Sequence, residues 1–65
     1  MPRLEDYVEV TGVVLDNTRA DIKFNFGHGE IWVPKSKILE DFFNIGDIKT
    51  WHIDTNHAIR LGLVN

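Results

Sequence analysis

The stretch Gly29-Glu30-Ile31-Trp32-Val33-Pro34-Lys35-Ser36-Lys37-Ile38 decides how this chain is read. A short β-branched and aromatic run reaches a proline, which has no backbone donor and so ends a strand ladder. Beyond Pro34, Ser36 has the chemistry of a helix N-cap, and the spacing of Ile38, Leu39 and Phe42 predicts an apolar helical stripe over Lys37 to Phe43. Asn44 or Gly46 would close that helix.

Working backward, Thr18 to Phe26 reads as the preceding strand. Ala20, Ile22, Phe24 and Phe26 alternate with Asp21, Lys23 and Asn25, which predicts one buried face and one wet face. Gly27-His28-Gly29 then turns the chain. Residues opposite each other across an antiparallel ladder share a face. Phe24 and Phe26 join Ile31 and Val33 in one core only if the loop has an even number of residues, two or four. That parity sends Trp32 to the wet face with Glu30, near Lys23 and Asn25. The competing placement folds the helix back over Trp32 and makes it core.

Earlier still, Tyr7 to Leu15 is valine-rich and reads as strand one. Val8 and Val10 share a face, as do Val13 and Leu15, but the two pairs differ in parity. Burying both requires an extra residue, and Thr11-Gly12 is the expected bulge or bend. Asp16-Asn17 signals the turn that follows. Met1 to Asp6 reads as a loose lead-in.

Downstream, Asp47 to Ile53 reads as a further strand with Ile48, Trp51 and Ile53 available to the core. Its alternation is not clean, which leaves the face of Trp51 ambiguous, and a half-buried core tryptophan is expected. Asp54 or Thr55 can cap a short helix through Leu61 with Gly62 as its stop, in preference to a fifth strand over Ile59 to Val64. The expected fold class is mainly β with some α. It is a small four- to five-stranded bent antiparallel sheet or open barrel, OB-like or alternatively SH3-like. One short helix lies between strands three and four and another at the C-terminal end.

Sixty-five residues make a single domain near the lower limit for folding without staples. There is no cysteine, so neither a disulfide framework nor a thiolate cluster is available. With 43% hydrophobic and 26% charged residues, the composition is that of a folded domain rather than a disordered chain. A net charge of −3 argues against an overall basic nucleic-acid footprint, although a basic patch can sit on one face of an acidic protein. The N-terminal residues lack the build of a signal peptide, and no apolar run spans a membrane, so a cytoplasmic location is expected.

The pieces Thr11-Gly12-Val13, Ala20-Asp21-Ile22-Lys23-Phe24, Glu30-Ile31-Trp32-Val33-Pro34-Lys35-Ser36-Lys37-Ile38 and Ala58 through Gly62-Leu63 resemble small uncharacterised proteins of phages and bacteria. The shared pattern is G-x-V followed by E-x-W-[IV]-P-K-S. That resemblance implies a phage or prophage origin and a non-enzymatic role. Asp54-Thr55-Asn56-His57 departs from the apolar, tryptophan-bearing segment those proteins carry there.

No Ser-His-Asp order and no phosphate-cradling glycine loop is present, so no catalytic residues are expected. His28, His52 and His57, even with Asp54, have no recognisable ligand spacing, and neither metal nor cofactor is expected. The candidate binding residues are Trp32, Lys23, Asn25, Lys35 and Lys37. An indole bordered by cations suits either a protein hot spot or a stacked base. Carboxylates at Glu5, Asp6, Glu9, Asp16 and Asp21 supply an acidic face able to mimic phosphate. The expected role is a binding module that contacts a protein partner, as an accessory factor or inhibitor of a nucleic-acid enzyme or defence system. The alternative is single-stranded DNA or RNA binding by the Trp32 face. Self-pairing through an open edge of strand one or strand three would give a homodimer.

Overall fold

A computed structural model describes residues 4–64 of the chain. Residues 1–3 of the expected lead-in lie outside the described residues, and Leu4–Asp6 forms a 3-10 turn. Four strands follow: β1 (Tyr7–Asn17), β2 (Asp21–Asn25), β3 (Glu30–Pro34) and β4 (Ile48–Asp54). A short helix, α1 (Thr55–Arg60), ends the fold. The strands form one antiparallel sheet in the order β3-β2-β1-β4. The sheet does not close, so the open-sheet form of the expected fold is the one realised. β1 is central rather than an edge, and β3 and β4 are the outer strands.

β1 corrects the expected break at Thr11-Gly12. Val8, Val10 and Gly12 pair in unbroken period two with β4, opposite Ile53, Trp51 and Lys49, and Val14 continues that parity opposite Phe24 of β2. Val14 is fully buried, whereas Val13 and Leu15 are half-buried on the other parity. The bulge lies at Leu15 instead, because Val14 faces Phe24 but Asp16 faces Lys23. The extra residue switches parity, so Asn17 faces Ile22 and its Nδ2 donates to the Phe43 carbonyl at 2.8 Å. Gly12 is needed where it stands, since a Cβ there would lie 2.4 Å from Phe26 Cδ1.

β2 begins at Asp21 rather than Thr18, and Ala20 is exposed. Thr18 makes the turn: its N–H and hydroxyl both donate to the Asp21 carbonyl at 2.9 Å, and the Asp21 N–H donates to its hydroxyl at 3.0 Å.

The helix expected over Lys37 to Phe43 is absent. A 3-10 helix occupies Lys35–Lys37, with Pro34 rather than Ser36 at its cap position. The chain then runs extended along β4. Ile38 bridges Ile53, and the Leu39 N–H donates to the His52 carbonyl at 2.9 Å. Pairing with a sheet edge satisfies the backbone groups that two helical turns would have left to caps and water. The apolar stripe divides accordingly. Ile38 and Phe43 are buried, while Phe42 is 81% exposed. Asn44 to Asp47 forms a turn, with Gly46 at φ +96 and its N–H donating to the Val14 carbonyl at 2.8 Å.

The core fills the inner side of the sheet. Phe24, Phe43 and Trp51 form an aromatic cluster, with Phe43 stacked on Trp51 at 5.4 Å. Trp51 is a core residue as expected, but fully rather than half-buried, and its indole N–H donates to the Gly12 carbonyl at 2.9 Å. Ile48 is not core but 73% exposed, since it has the opposite parity to Trp51 and Ile53. α1 closes this side with Ala58, and Leu61, Leu63 and Val64 pack around it. Asp54 caps α1 by accepting from the His57 N–H at 3.0 Å. Gly62 (φ +75) ends it, with its N–H bonded to the Ile59 carbonyl and the Leu63 N–H to the Ala58 carbonyl, a Schellman pair.

Candidate functional site

The β2–β3 hairpin positions the candidate binding residues. Asn25 faces Glu30, so residues 26–29 form the loop, an even count. Gly27 and Gly29 take φ values of +103 and +105, which residues with a Cβ rarely adopt. The Asn25 carboxamide is used locally, where its Oδ1 accepts from the Gly27 N–H at 2.7 Å. The loop keeps Phe26 beside Phe24, their rings stacked at 4.8 Å on the inner side. In consequence Trp32 faces Lys23 on the outer side and is 44% exposed.

Lys23 Nζ stands 5.7 Å from the Trp32 ring centroid and 2.6 Å from Glu30 Oε1. One cation therefore serves both the ring quadrupole and a carboxylate. Lys23, Asn25 and Trp32 are brought together on one face. Lys35 stands just past the end of β3, in the 3-10 turn, where its backbone N–H donates to the Ala20 carbonyl at 2.8 Å. Lys37 lies elsewhere, in a shallow cleft of about 240 Å³ against α1, with Asp54, Asn56, His57 and Arg60.

Carboxylates are spread over the rest of the outer face, among threonines, Val13 and Ile48. Asp16 stands opposite Lys23, and Asp21 opposite Pro34. At the far side Glu9 faces His52. His52 Nδ1 is 2.6 Å from Glu40 Oε2, and its Nε2 is 3.5 Å from Glu9 Oε1. The Glu40 hydrogen bond raises the His52 pKa above its ordinary value of 6.5, aided by the negative charges of Glu40 and Glu9 and opposed by partial burial. Glu40 Oε1 also accepts the His52 backbone N–H at 2.9 Å, so one carboxylate pins the 38–44 segment to β4. Between these groups Thr11 and Thr50 hydrogen-bond across the strands at 3.0 Å.

Three further apolar side chains reach solvent at the end of the sheet where β4 begins: Phe42, Ile45 and Ile48. Strict period two along β4 already excludes Ile48 from the core. The exposure of Phe42 had no local signal, because the segment satisfies a helical stripe as well as an extended one. The three histidines occupy the hairpin loop, β4 and α1 separately, and among the described residues no group of three His, Asp or Glu side chains converges as metal ligands would.

Comparison with protein-family models, curated proteins and solved structures finds no match to this chain. Among the described residues no helix is long and apolar enough to cross a membrane.

Proposed function

We propose that the chain is a non-catalytic binding module that acts through protein–protein contact. Its contact surface is the outer face of the sheet around Trp32, and its partner presents a basic surface there. One observation carries this reading. A half-exposed indole stands on a sheet face where carboxylates outnumber cations. A large, rigid, partly dry ring in such a setting has the makeup of an interface anchor, and the surrounding charge selects partners of opposite sign. An accessory or inhibitory role toward a nucleic-acid enzyme or a defence system fits, because a groove built for phosphate offers a basic surface of this kind.

Single-stranded nucleic acid is the rival ligand, favoured by the exposed indole beside Lys23. Charge argues against it. Lys23 is paired with Glu30 at 2.6 Å, and Lys37 lines the cleft against α1.

The test uses the tagged chain and its Trp32→Ala variant, each recovered from the native host. The expected result is a protein retained by the wild type and lost by the variant, with the melting temperatures of the two chains close together. Equal retention by both would overturn the assignment of this face. Tryptophan fluorescence titrated with a short oligothymidylate at low and high salt tests the rival. Phosphate contacts would give binding that falls steeply with salt, and such a result would replace the protein reading.

A further inference from the structure

The hydrogen-bond phase of β3 leaves one edge of the sheet open. The Lys35 N–H donates to the Ala20 carbonyl at 2.8 Å, one step beyond the Asp21·Pro34 position of the β2–β3 register. Bonded and non-bonded pairs alternate along an antiparallel ladder. Ile22·Val33 and Phe24·Ile31 are therefore bonded pairs, and Asp21·Pro34, Lys23·Trp32 and Asn25·Glu30 are not. The N–H and C=O groups of Glu30 and Trp32, and the carbonyl of Pro34, thus point away from β2. Among the described residues no further backbone hydrogen bond reaches them. The missing donor of Pro34 also falls on this open side, where an edge strand tolerates it.

The opposite edge is treated differently. On β4 both backbone groups of His52 are taken, the carbonyl by the Leu39 N–H at 2.9 Å and the N–H by Glu40 at 2.9 Å. The fold covers β4 at His52 and Ile53 with its own 38–40 segment and leaves β3 uncovered, with Trp32 at its midpoint.

We propose that β3 receives an extended segment of a partner protein as a fifth strand, and that this segment carries basic residues at alternate positions. The proposal rests on the outer face being the contact surface and adds how the partner engages it. An added strand places alternate side chains on the outer face beside Glu30, Trp32 and Pro34. Basic residues there meet Glu30, whose carboxylate Lys23 already contacts at 2.6 Å, and Asp21 lies one strand further in. The intervening side chains fall on the inner face beside Val33 and half-buried Ile31, and apolar residues suit them. Charge decides the occupant. A second copy would bring another net charge of −3 to this edge, whereas a basic segment brings the opposite sign.

The experiment titrates the intact isotope-labelled chain with a capped nine-residue peptide of alternating lysine and valine. Two controls are the same peptide N-methylated at the lysine amides and at the valine amides. Backbone amide exchange at Glu30 and Trp32 is followed by NMR. The expected result is protection of both amides by the parent peptide. At least one methylated peptide binds about tenfold or more weakly, because it forfeits hydrogen bonds to the edge. Methylated and parent peptides that bind equally, all lost in Trp32→Ala, would overturn strand addition and leave the contact face standing. Absence of binding by every peptide would overturn strand addition as well, with the contact face still judged by the co-purification test. Protection of the Trp32 amide that grows with protein concentration alone would identify a second copy as the occupant and overturn the basic-segment proposal.

Discussion

Replacing Gly12 with alanine tests the register of β1 where three strands meet. Gly12 lies on the inner face, between Val10 and Val14. A new β-carbon would stand 2.4 Å from Phe26 Cδ1 and 2.6 Å from the Asn25 carbonyl oxygen. The phenyl ring can swing aside at the expense of its stacking on Phe24. The carbonyl cannot, because Asn25 is held opposite Val13 in the β1–β2 ladder. Any shift of Gly12 also disturbs the hydrogen bond its carbonyl accepts from the Trp51 indole at 2.9 Å. Overpacking of this kind costs about 1–3 kcal/mol. Against that, alanine in a strand normally gains roughly 0.5–1 kcal/mol over glycine through backbone entropy. The net loss is about 1–2 kcal/mol. In a domain of 65 residues each kcal/mol moves the melting temperature by roughly 4–8 °C. Thermal unfolding followed by far-UV circular dichroism should therefore show a fall of about 5–15 °C. The sign is the sharp part of the test. At a strand glycine with free space the same substitution would raise the melting temperature, and such a rise would refute the register.

Trp51→Ala removes a fully buried ring and its hydrogen bond to Gly12, at a cost of about 3–5 kcal/mol. A domain of this size holds only about 3–10 kcal/mol in all, so urea titration should find the variant largely unfolded or close to it, and a midpoint near that of wild type would contradict the core assignment. His52 makes stability depend on pH. Its pKa is raised in the folded state, chiefly by the Glu40 hydrogen bond. Its contribution is therefore present in full below pH 6.5, the ordinary value, and is lost as pH rises through the higher folded value. The melting temperature should fall between pH 6 and pH 8, and Glu40→Gln should flatten that fall; an unchanged slope in the variant would show that another group is responsible.

The hairpin that carries Trp32 was legible because its signals are local and agree. A clean alternation from Ala20 to Phe26, a glycine-flanked loop and a terminating proline leave one parity that keeps the phenylalanines together. α1 was legible for the same reason, since Asp54 and Gly62 mark its ends chemically. β1 was not. Val8, Val10, Val13, Val14 and Leu15 offer apolar side chains at both parities, so local pattern does not choose between them. What chooses is the space under Gly12, which depends on Phe26 from another strand. Lys37 to Phe43 failed through a competing long-range bond. The segment fits a helical stripe locally, but Ile38 and Glu40 find partners on β4, fifteen and twelve residues away at Ile53 and His52. That misreading also placed Lys37 at the start of the expected helix, just beyond Trp32, whereas it lines the cleft against α1.

The two sides of the sheet explain why the candidate chemistry collects where it does. The inner side is covered by α1 and by the 38–44 segment, which inserts Phe43 against Trp51. Every fully buried large side chain lies there. The outer side has no layer over it among the described residues, so its side chains must be acceptable to water in the isolated domain. Thr11, Thr50, Glu9, His52, Asp16 and Lys23 meet that condition, whereas Val13 and Ile48, the latter 73% exposed, are apolar on the same face. Trp32 does so only in part, by lying beside Lys23 with 44% of its surface exposed. A chain short of core material has little reason of stability to leave an indole there, since its burial would contribute about 1.5–3 kcal/mol or more. The hairpin parity that packs Phe24 and Phe26 imposes the position but not the residue: threonine or lysine would serve a solvated strand equally well. Tryptophan at the midpoint of the uncovered edge strand is thus not required by the fold that holds it, and that is the ground on which the proposed contact face stands.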